Sequence, residues 1–578
     1  MNSKKYKDAL YDVRKIEDIR ELINSSVALN AEEPAFLVKS KETKKFEPIT
    51  YRTMKDDYEG LGTSFIRLGL KDRKIAVIGE NSYDWVITYL ATVNGTGVIV
   101  PIDRELKGKE ILNLLKRSGV SAIVYSRKLA KVIEEIKIDL SGIDYFIEMG
   151  KEFHDDDSLS LNRLIKDGRL AVVDGDDCFI NATIDREAMC AILFTSGTTG
   201  LAKGVMLSHK NITANVYNMS KYVKIKRGGI GLSVLPMHHS YEMTCHVFTG
   251  LFQGVTIAIC EGLKHIQKNL VEVQASVMLA VPLIFETIHK KIWKQIEVKG
   301  KLKKVQKAVN MSKQFKLYNN PRIVKKVFAQ IQSVAGGNVT HFIAGGAAIN
   351  PTVVEDFQAM GFPMIQGYGM TENAPIIAVN KDRYSKAKSV GLPMPGTEVK
   401  IINKDEDGLG EIVCKGPSVM LGYYDNEEAT NEAIIDGWLQ TGDFGYFDED
   451  GFLYVSGRKK NVIVTKNGKN IFPEEVEFYL AESEYIEEVL VHGIEDERTG
   501  DAVVKAEIYP NFELISEEKG LLSDGELRAF LKEVIDNIND QMPLYKRVKR
   551  FDVRRAEFEK TTTRKIKRHT TENFSKEV

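Results

Sequence analysis

Short apolar runs alternate with amphipathic stretches along most of this chain. KIAVIG (74–79) reads as a buried strand, SYDWVITYLATVN (82–94) as a helix and GVIVPID (97–103) as a strand. KGKEILNLLKRSG (107–119) reads as a helix and SAIVYS (121–126) as another strand. Strands of this kind, separated by helices, imply a parallel sheet with βαβ crossovers. After an Asp-rich polar stretch (155–177) the alternation resumes at AILFTSG and runs on through GLSVLP, TIAIC, ASVMLAVP and THFIAGG.

Three regions break the rhythm. Residues 1–70 read as an N-terminal cap of helices and polar turns. A lysine-heavy helical insert occupies about 288–333. From 391 to 457 the texture turns to short strands and turns, a small β-rich subdomain. The final 120 or so residues alternate again, as in EEVLVHGIED, AVVKAEIYP and DGELRAFLKEVIDNI. The expected fold is therefore α/β. A large domain (1–459) of parallel βαβ sheets with a β-rich subdomain precedes a small α+β domain (460–578). No internal repeat or low-complexity tract is visible.

With 578 residues, the chain is too long for one ordinary core. Its formal net charge of −1 argues against a general polyanion binder, and no nucleic-acid partner is expected. Five scattered cysteines (178, 190, 245, 260, 414) without CxxC spacing predict reduced thiols and a cytoplasmic setting, with neither a disulfide frame nor a zinc site. The charged N-terminus lacks the apolar core of a signal peptide. The most apolar stretch (85–102) is too short and interrupted to span a bilayer. Peripheral membrane contact stays open.

The densest chemistry is FTSGTTGLAKG, 194–204, after a predicted strand. Gly197, Gly200 and Gly204 permit close backbone approach and positive φ. The hydroxyls of Thr195, Ser196, Thr198 and Thr199, free N–H groups and Lys203 can surround a phosphate chain. No Gly-Lys-Ser/Thr follows at Walker A spacing. The string resembles the phosphate loop of the adenylate-forming superfamily of AMP-binding enzymes, which includes acyl-CoA synthetases, luciferases and peptide-synthetase adenylation domains.

Further segments resemble that family in order, over about 34–568. LPMHHSYE (235–242) resembles its acid-pocket segment, with His239 beside the acyl carboxylate. Gly345-Gly346-Ala347 and Gln366-Gly367-Tyr368-Gly369 resemble the adenine-pocket strands, with Tyr368 able to stack on the base. The resemblance gives Thr371 a hydrogen bond to the α-phosphate and makes Glu372, with Thr198, a ligand for Mg²⁺. In the long match 422–463, it implies that Asp443 accepts from ribose hydroxyls, that Arg458 donates to ribose or phosphate, and that Lys460 is the hinge of a mobile C-terminal domain. KNGKNIFPEEVE, with Gly468, resembles the loop beside the thiol tunnel. The segment 559–566 resembles the C-terminal catalytic motif and makes Lys565 the catalytic lysine. Glu559 and Arg564 replace the family's usual Pro and Gly, which leaves the geometry around Lys565 open.

The chemistry implied uses ATP, Mg²⁺ and coenzyme A. A carboxylate attacks the α-phosphate, pyrophosphate leaves, and the acyl group passes to a thiol. VPLIFETIHKKI (281–292), LPMHHSYE and the helical insert resemble long-chain fatty acyl-CoA synthetases, so a fatty acid is the expected acid. A carrier protein stays open as the alternative acceptor. A luciferase-like oxygenase and a non-catalytic nucleotide-binding module are the remaining alternatives. A non-catalytic module would be expected to lack catalytic residues, yet Thr371, Glu372, Asp443, Arg458 and Lys565 are all present.

Overall fold

The computed structural model describes residues 8–153, 158–195, 202–406, 408–465, 470–496, 502–561, 565–568 and 570. The chain forms two compact units. One comprises 1–399, 414–439 and 449–452; the other comprises 400–413, 440–448 and 453–578.

The large unit is α/β, built on two large sheets. In the eight-stranded sheet, Arg73–Ile78 lies between Gly97–Ile102 and Ala122–Ser126, all parallel. Both crossovers are helical; Tyr83–Ala91 is buried from Trp85 to Ala91, and Gly108–Ser118 is amphipathic. Tyr83–Ala91 starts where the Ser82 hydroxyl accepts from the Trp85 N–H at 3.2 Å, which satisfies one of the free donors of a helix start. Gly108–Ser118 ends at Gly119 in the left-handed conformation. At the far side of this sheet, Met189–Thr195 and Lys203–Ser208 pair antiparallel.

The nine-stranded sheet sets Thr256–Ile259, Ile230–Ser233, Val277–Ala280, His341–Ala344 and Met364–Gly369 side by side and parallel. Phe342 of this sheet packs against the rings of Phe285, Phe357 and Phe362. The first 70 residues correct the sequence reading. They contain two strands as well as helices, Pro34–Lys39 and Phe46–Thr50, and these extend the nine-stranded sheet at one edge. The expected lysine-rich insert is three helices, Pro282–Val298, Leu302–Phe315 and Pro321–Gln332. The β-rich stretch forms a five-stranded sheet that includes Glu398–Ile402, Gly410–Lys415, Trp438–Phe447 and Leu453–Arg458, most of whose residues fall in the small unit.

In the small unit, Ile486–Glu495 runs antiparallel to Ala502–Pro510, which pairs parallel with Val548–Val553. Helices Pro473–Ala481 and Asp524–Asn539 bury Val476, Leu480, Ile535 and Ile538 among Val489, Val491, Val504 and Ile508. Among the described residues no helix is long and apolar enough to cross a membrane. All five cysteines are free.

Candidate active site

Several of the predicted residues of the large unit follow the carboxyl ends of nearby parallel strands. That is where open α/β sheets place their ligands, because the crossover loops diverge there. His238 and His239 come after Ile230–Ser233, Gly345 to Ala347 after His341–Ala344, and Thr371 and Glu372 after Met364–Gly369. Tyr241 ties two of these ends together, its hydroxyl donating to the Ile343 carbonyl at 3.1 Å. A Cβ at Gly345 would stand 2.7 Å from the Tyr241 ring, so this glycine is demanded by the protein's own packing. Gly346 and Ala347 are exposed. Gln366 is buried, and its side-chain amide donates to the Ala387 carbonyl at 2.6 Å. From Gly367 to Thr371 the chain becomes half-buried, Tyr368 included. A Cβ at Gly369 would lie 2.0 Å from the Pro375 carbonyl oxygen, so only glycine admits this turn.

His239 caps the short helix Ser240–Glu242, with its ring centroid 4.2 Å from that of His238. Burial, reinforced by Arg104, pushes the His238 imidazole down to about 3, so it is neutral near pH 7. Behind them, one buried oxygen of Glu242 receives the Ser233 hydroxyl at 2.6 Å and faces His246 Nδ1 at 2.8 Å. This network fixes the segment that presents His239.

Thr195 and Lys203 are the stems of the predicted phosphate loop. They face each other across the antiparallel pair, Thr195 Oγ1 lying 3.4 Å from the Lys203 carbonyl. Ser196, Gly197, Thr198, Thr199 and Gly200 lie outside the described residues, as does Gly468. The Lys203 ammonium sits 4.9 Å from the centre of the Tyr423 ring. Tyr423 is carried by Gly422–Tyr423, which adds to the strand edge opposite Val205. Its hydroxyl donates to Glu372 Oε1 at 2.9 Å, and burial followed by the Glu372 charge pushes its phenol well above the usual range. The Glu372 carbonyl accepts from Met420 N at 2.8 Å.

Glu372 is thus a carboxylate with 9% exposure, one oxygen held by a neutral donor, and no ion pair among the described residues. Burying such a charge unmatched is costly. A hard cation that keeps waters and phosphate oxygens needs only one or two protein carboxylates. Glu372 fits that requirement, and Thr371 precedes it in the same turn, Thr371–Asn373. Among the described residues no cluster of three or more His, Cys, Asp or Glu forms a protein-only metal cage.

In the small unit, Asp443 and Arg458 are cross-strand partners, with Arg458 Nε 2.9 Å from Asp443 Oδ1. Asp443 is 5% exposed and Arg458 is open to solvent. Lys460 is exposed in the turn Lys459–Asn461. Lys565 closes a tight loop. Its carbonyl accepts from Thr561 N at 2.7 Å, and its N–H donates to Thr561 Oγ1 at 3.2 Å. Glu559 joins this loop through its carbonyl, which accepts from Lys567 N at 2.9 Å, and through a 3.6 Å ion pair with Lys567. Arg564 lies outside the described residues. The Lys565 residue stays exposed, yet its ammonium is held below the ordinary lysine range, by desolvation first and then by Arg458, with Asp443 opposing.

Sequence reasoning overlooked Tyr423, although it lies within the long match 422–463. A lone tyrosine carries no signal until strand pairing shows which carboxylate it meets.

The AMP-binding enzyme family model matches residues 25–424, and the AMP-binding enzyme C-terminal domain matches 460–578. The chain is 28% identical to fatty acyl-CoA synthetase B of Dictyostelium discoideum over 86% of this chain and 77% of that one. It is 30% identical to a long-chain-fatty-acid–CoA ligase of Homo sapiens over 76% of this chain and 69% of that one. The crystal structure of the anthranilate CoA ligase AuaEII with anthranoyl-AMP superposes with a TM-score of 0.75 at 19% identity, covering 98% and 97% of the two chains, and shares the fold. The chain belongs to the AMP-binding enzyme family.

Proposed function

We propose that this protein is an ATP-dependent, AMP-forming acid–thiol ligase that activates a long-chain fatty acid as its acyl-adenylate and transfers the acyl group to coenzyme A. The observation that carries the chemistry is the buried Glu372 carboxylate, tethered through one oxygen by Tyr423 beside the Thr195 and Lys203 stems. The names of the relatives, fatty acyl-CoA synthetase and long-chain-fatty-acid–CoA ligase, support the acid and the thiol.

A carboxylate is a poor acyl donor because oxide is a poor leaving group. Attack of a carboxylate oxygen on the α-phosphorus forms a mixed anhydride and expels pyrophosphate. The obstacle is charge, since an anion must reach a polyanion. Catalysis is therefore positioning plus electrostatic stabilisation. Lys203 and the loop 195–200 bind the phosphates, Thr371 donates to the α-phosphate, and Lys565 adds positive charge as the anhydride forms. Glu372, with Thr198, would hold Mg²⁺, which supplies charge neutralisation to the phosphates. Gly345 to Ala347 and Gln366 to Gly369 border the base, and His239 orients the acid. Asp443, held by Arg458, accepts from the ribose hydroxyls. In the second step the thiol attacks the same carbonyl past Gly468, and AMP leaves. Lys460 is the pivot between the two steps, and 460–578 is the domain that turns.

The test is pyrophosphate release with saturated fatty acids of increasing length, with coenzyme A or an acyl-carrier protein as acceptor. An apolar tunnel gains about 0.8 kcal/mol per buried CH₂, so kcat/KM should climb steeply with chain length and thioester should form on coenzyme A. A flat length profile would refute the fatty-acid assignment. Turnover on the carrier protein alone would refute the acceptor.

A further inference from the structure

The three helices Pro282–Val298, Leu302–Phe315 and Pro321–Gln332 do two different things with their two faces. Inward, Ile292, Ile296, Val309, Val324 and Phe328 join one apolar core. Outward, the segment 282–332 carries thirteen Lys and Arg against two acids, Glu286 and Glu297, on a chain whose formal net charge is −1. Lys313 pairs with Asp356 at 2.7 Å and Glu355 at 3.4 Å. The other twelve cations are exposed and make no ion pair with any described residue. An ordinary solvated helix face intersperses both signs of charge; this one does not.

Apolar side chains stand among those cations. On the second helix Lys304, Lys307, Met311 and Phe315 fall on one outer stripe at helical spacing, with Met311 44% and Phe315 63% exposed. On the third helix Ile323 and Val327, one turn apart, are 42% and 52% exposed beside Arg322 and Lys326. A nucleic acid or an acidic peptide would answer the charge and leave these side chains in water. An anionic bilayer answers both, with headgroup phosphates for the ammonium groups and the acyl boundary for Phe315, Met311, Ile323 and Val327.

We propose that this helical face docks the protein on the surface of an anionic lipid bilayer. The proposal rests on charge and exposure alone and holds whatever acid the enzyme activates. The test is flotation of the full chain with phosphatidylcholine vesicles and with vesicles of phosphatidylcholine mixed with phosphatidylglycerol. Binding should require the anionic lipid and weaken as salt rises. Each lysine near the surface should contribute roughly fivefold to partitioning, so a quadruple Lys303→Gln, Lys304→Gln, Lys307→Gln, Lys326→Gln variant should bind several hundredfold more weakly. A Met311→Ser, Phe315→Ser variant should lose about tenfold while keeping the salt dependence. All six side chains are exposed, so melting temperatures should match the parent. Equal binding to both vesicles, binding to neither, capture by duplex DNA without capture by vesicles, or unweakened binding by both variants would overturn the proposal.

Discussion

Glu372 in the large unit and Asp443 in the small one are both nearly buried carboxylates, and the protein treats them differently. Asp443 is matched by a full cation, Arg458 Nε at 2.9 Å across a strand pair. Glu372 receives a neutral phenol at 2.9 Å. An Arg-matched carboxylate is a fixed acceptor whose charge is already answered. A phenol-matched carboxylate is oriented while its charge stays available to a cation that arrives with the substrate. Under the proposed function, the contrast would give Asp443 a positioning task and Glu372 an electrostatic one.

Mutations can break or sharpen this contrast. The largest expected effect is at Lys565, which the proposed mechanism uses to add positive charge as the anhydride forms. Lys565→Ala should lower adenylation by roughly 10²–10³ and leave thioester formation from preformed acyl-adenylate nearly intact, which single-turnover assays of the two half-reactions resolve. Because the ammonium is held below its usual range, parent activity should fall on the alkaline side at a pH below that of an ordinary lysine, and this limb should vanish in the variant.

Glu372→Gln keeps an acceptor for Tyr423 and deletes the charge. Adenylation should drop about 10²-fold, and the Mg²⁺ concentration for half-maximal rate should rise. An unchanged Mg²⁺ dependence would remove Glu372 from the metal. Tyr423→Phe keeps the charge and deletes its donor. Hydrogen bonds to charged groups contribute about 1.5–3 kcal/mol, so urea unfolding should show a loss of that size with a smaller change in rate. A loss of rate equal to that of Glu372→Gln would mean that the phenol touches substrate.

The smallest expected effect concerns the scaffold of the large unit. His209 is buried and accepts from Ile19 N at 3.2 Å through Nδ1. Burial pushes its imidazole down to about 4. The unfolded chain binds this proton near its ordinary pKa, so stability is complete above that pKa and is lost as pH falls from about 6.5 towards 4. At pH 6 the loss from His209 should be about 0.8 kcal/mol. A His209→Gln variant should show less acid sensitivity in urea unfolding than the parent.

The central strands and their crossovers were legible in the sequence because burial on both faces leaves continuous apolar runs such as KIAVIG and ASVMLAVP. The edge was not. Phe46–Thr50 pairs on one side only and needs little apolar surface, and Pro34–Lys39 finds its parallel partner at Ile257 and Ala258, more than two hundred residues away. Candidate residues were legible where one string carries them together, as with Thr371 and Glu372. A contact was hidden where it needs pairing at a distance, as with Tyr423 and Glu372. Gly345 shows the limit of reading a residue by type, since its lack of a side chain makes room for Tyr241. The sequence left the geometry around Lys565 open; the structure ties Glu559 to Lys567 by a backbone hydrogen bond and an ion pair, and Arg564 lies outside the described residues.

The most direct measurement of the central claim is product analysis with ATP, Mg²⁺ and a long-chain fatty acid before any thiol is added. The account predicts pyrophosphate and an enzyme-bound acyl-adenylate that hydroxylamine traps as the hydroxamate, with AMP released once coenzyme A is supplied. Formation of ADP and phosphate, or the absence of a trappable acyl group with every acid tried, would contradict it.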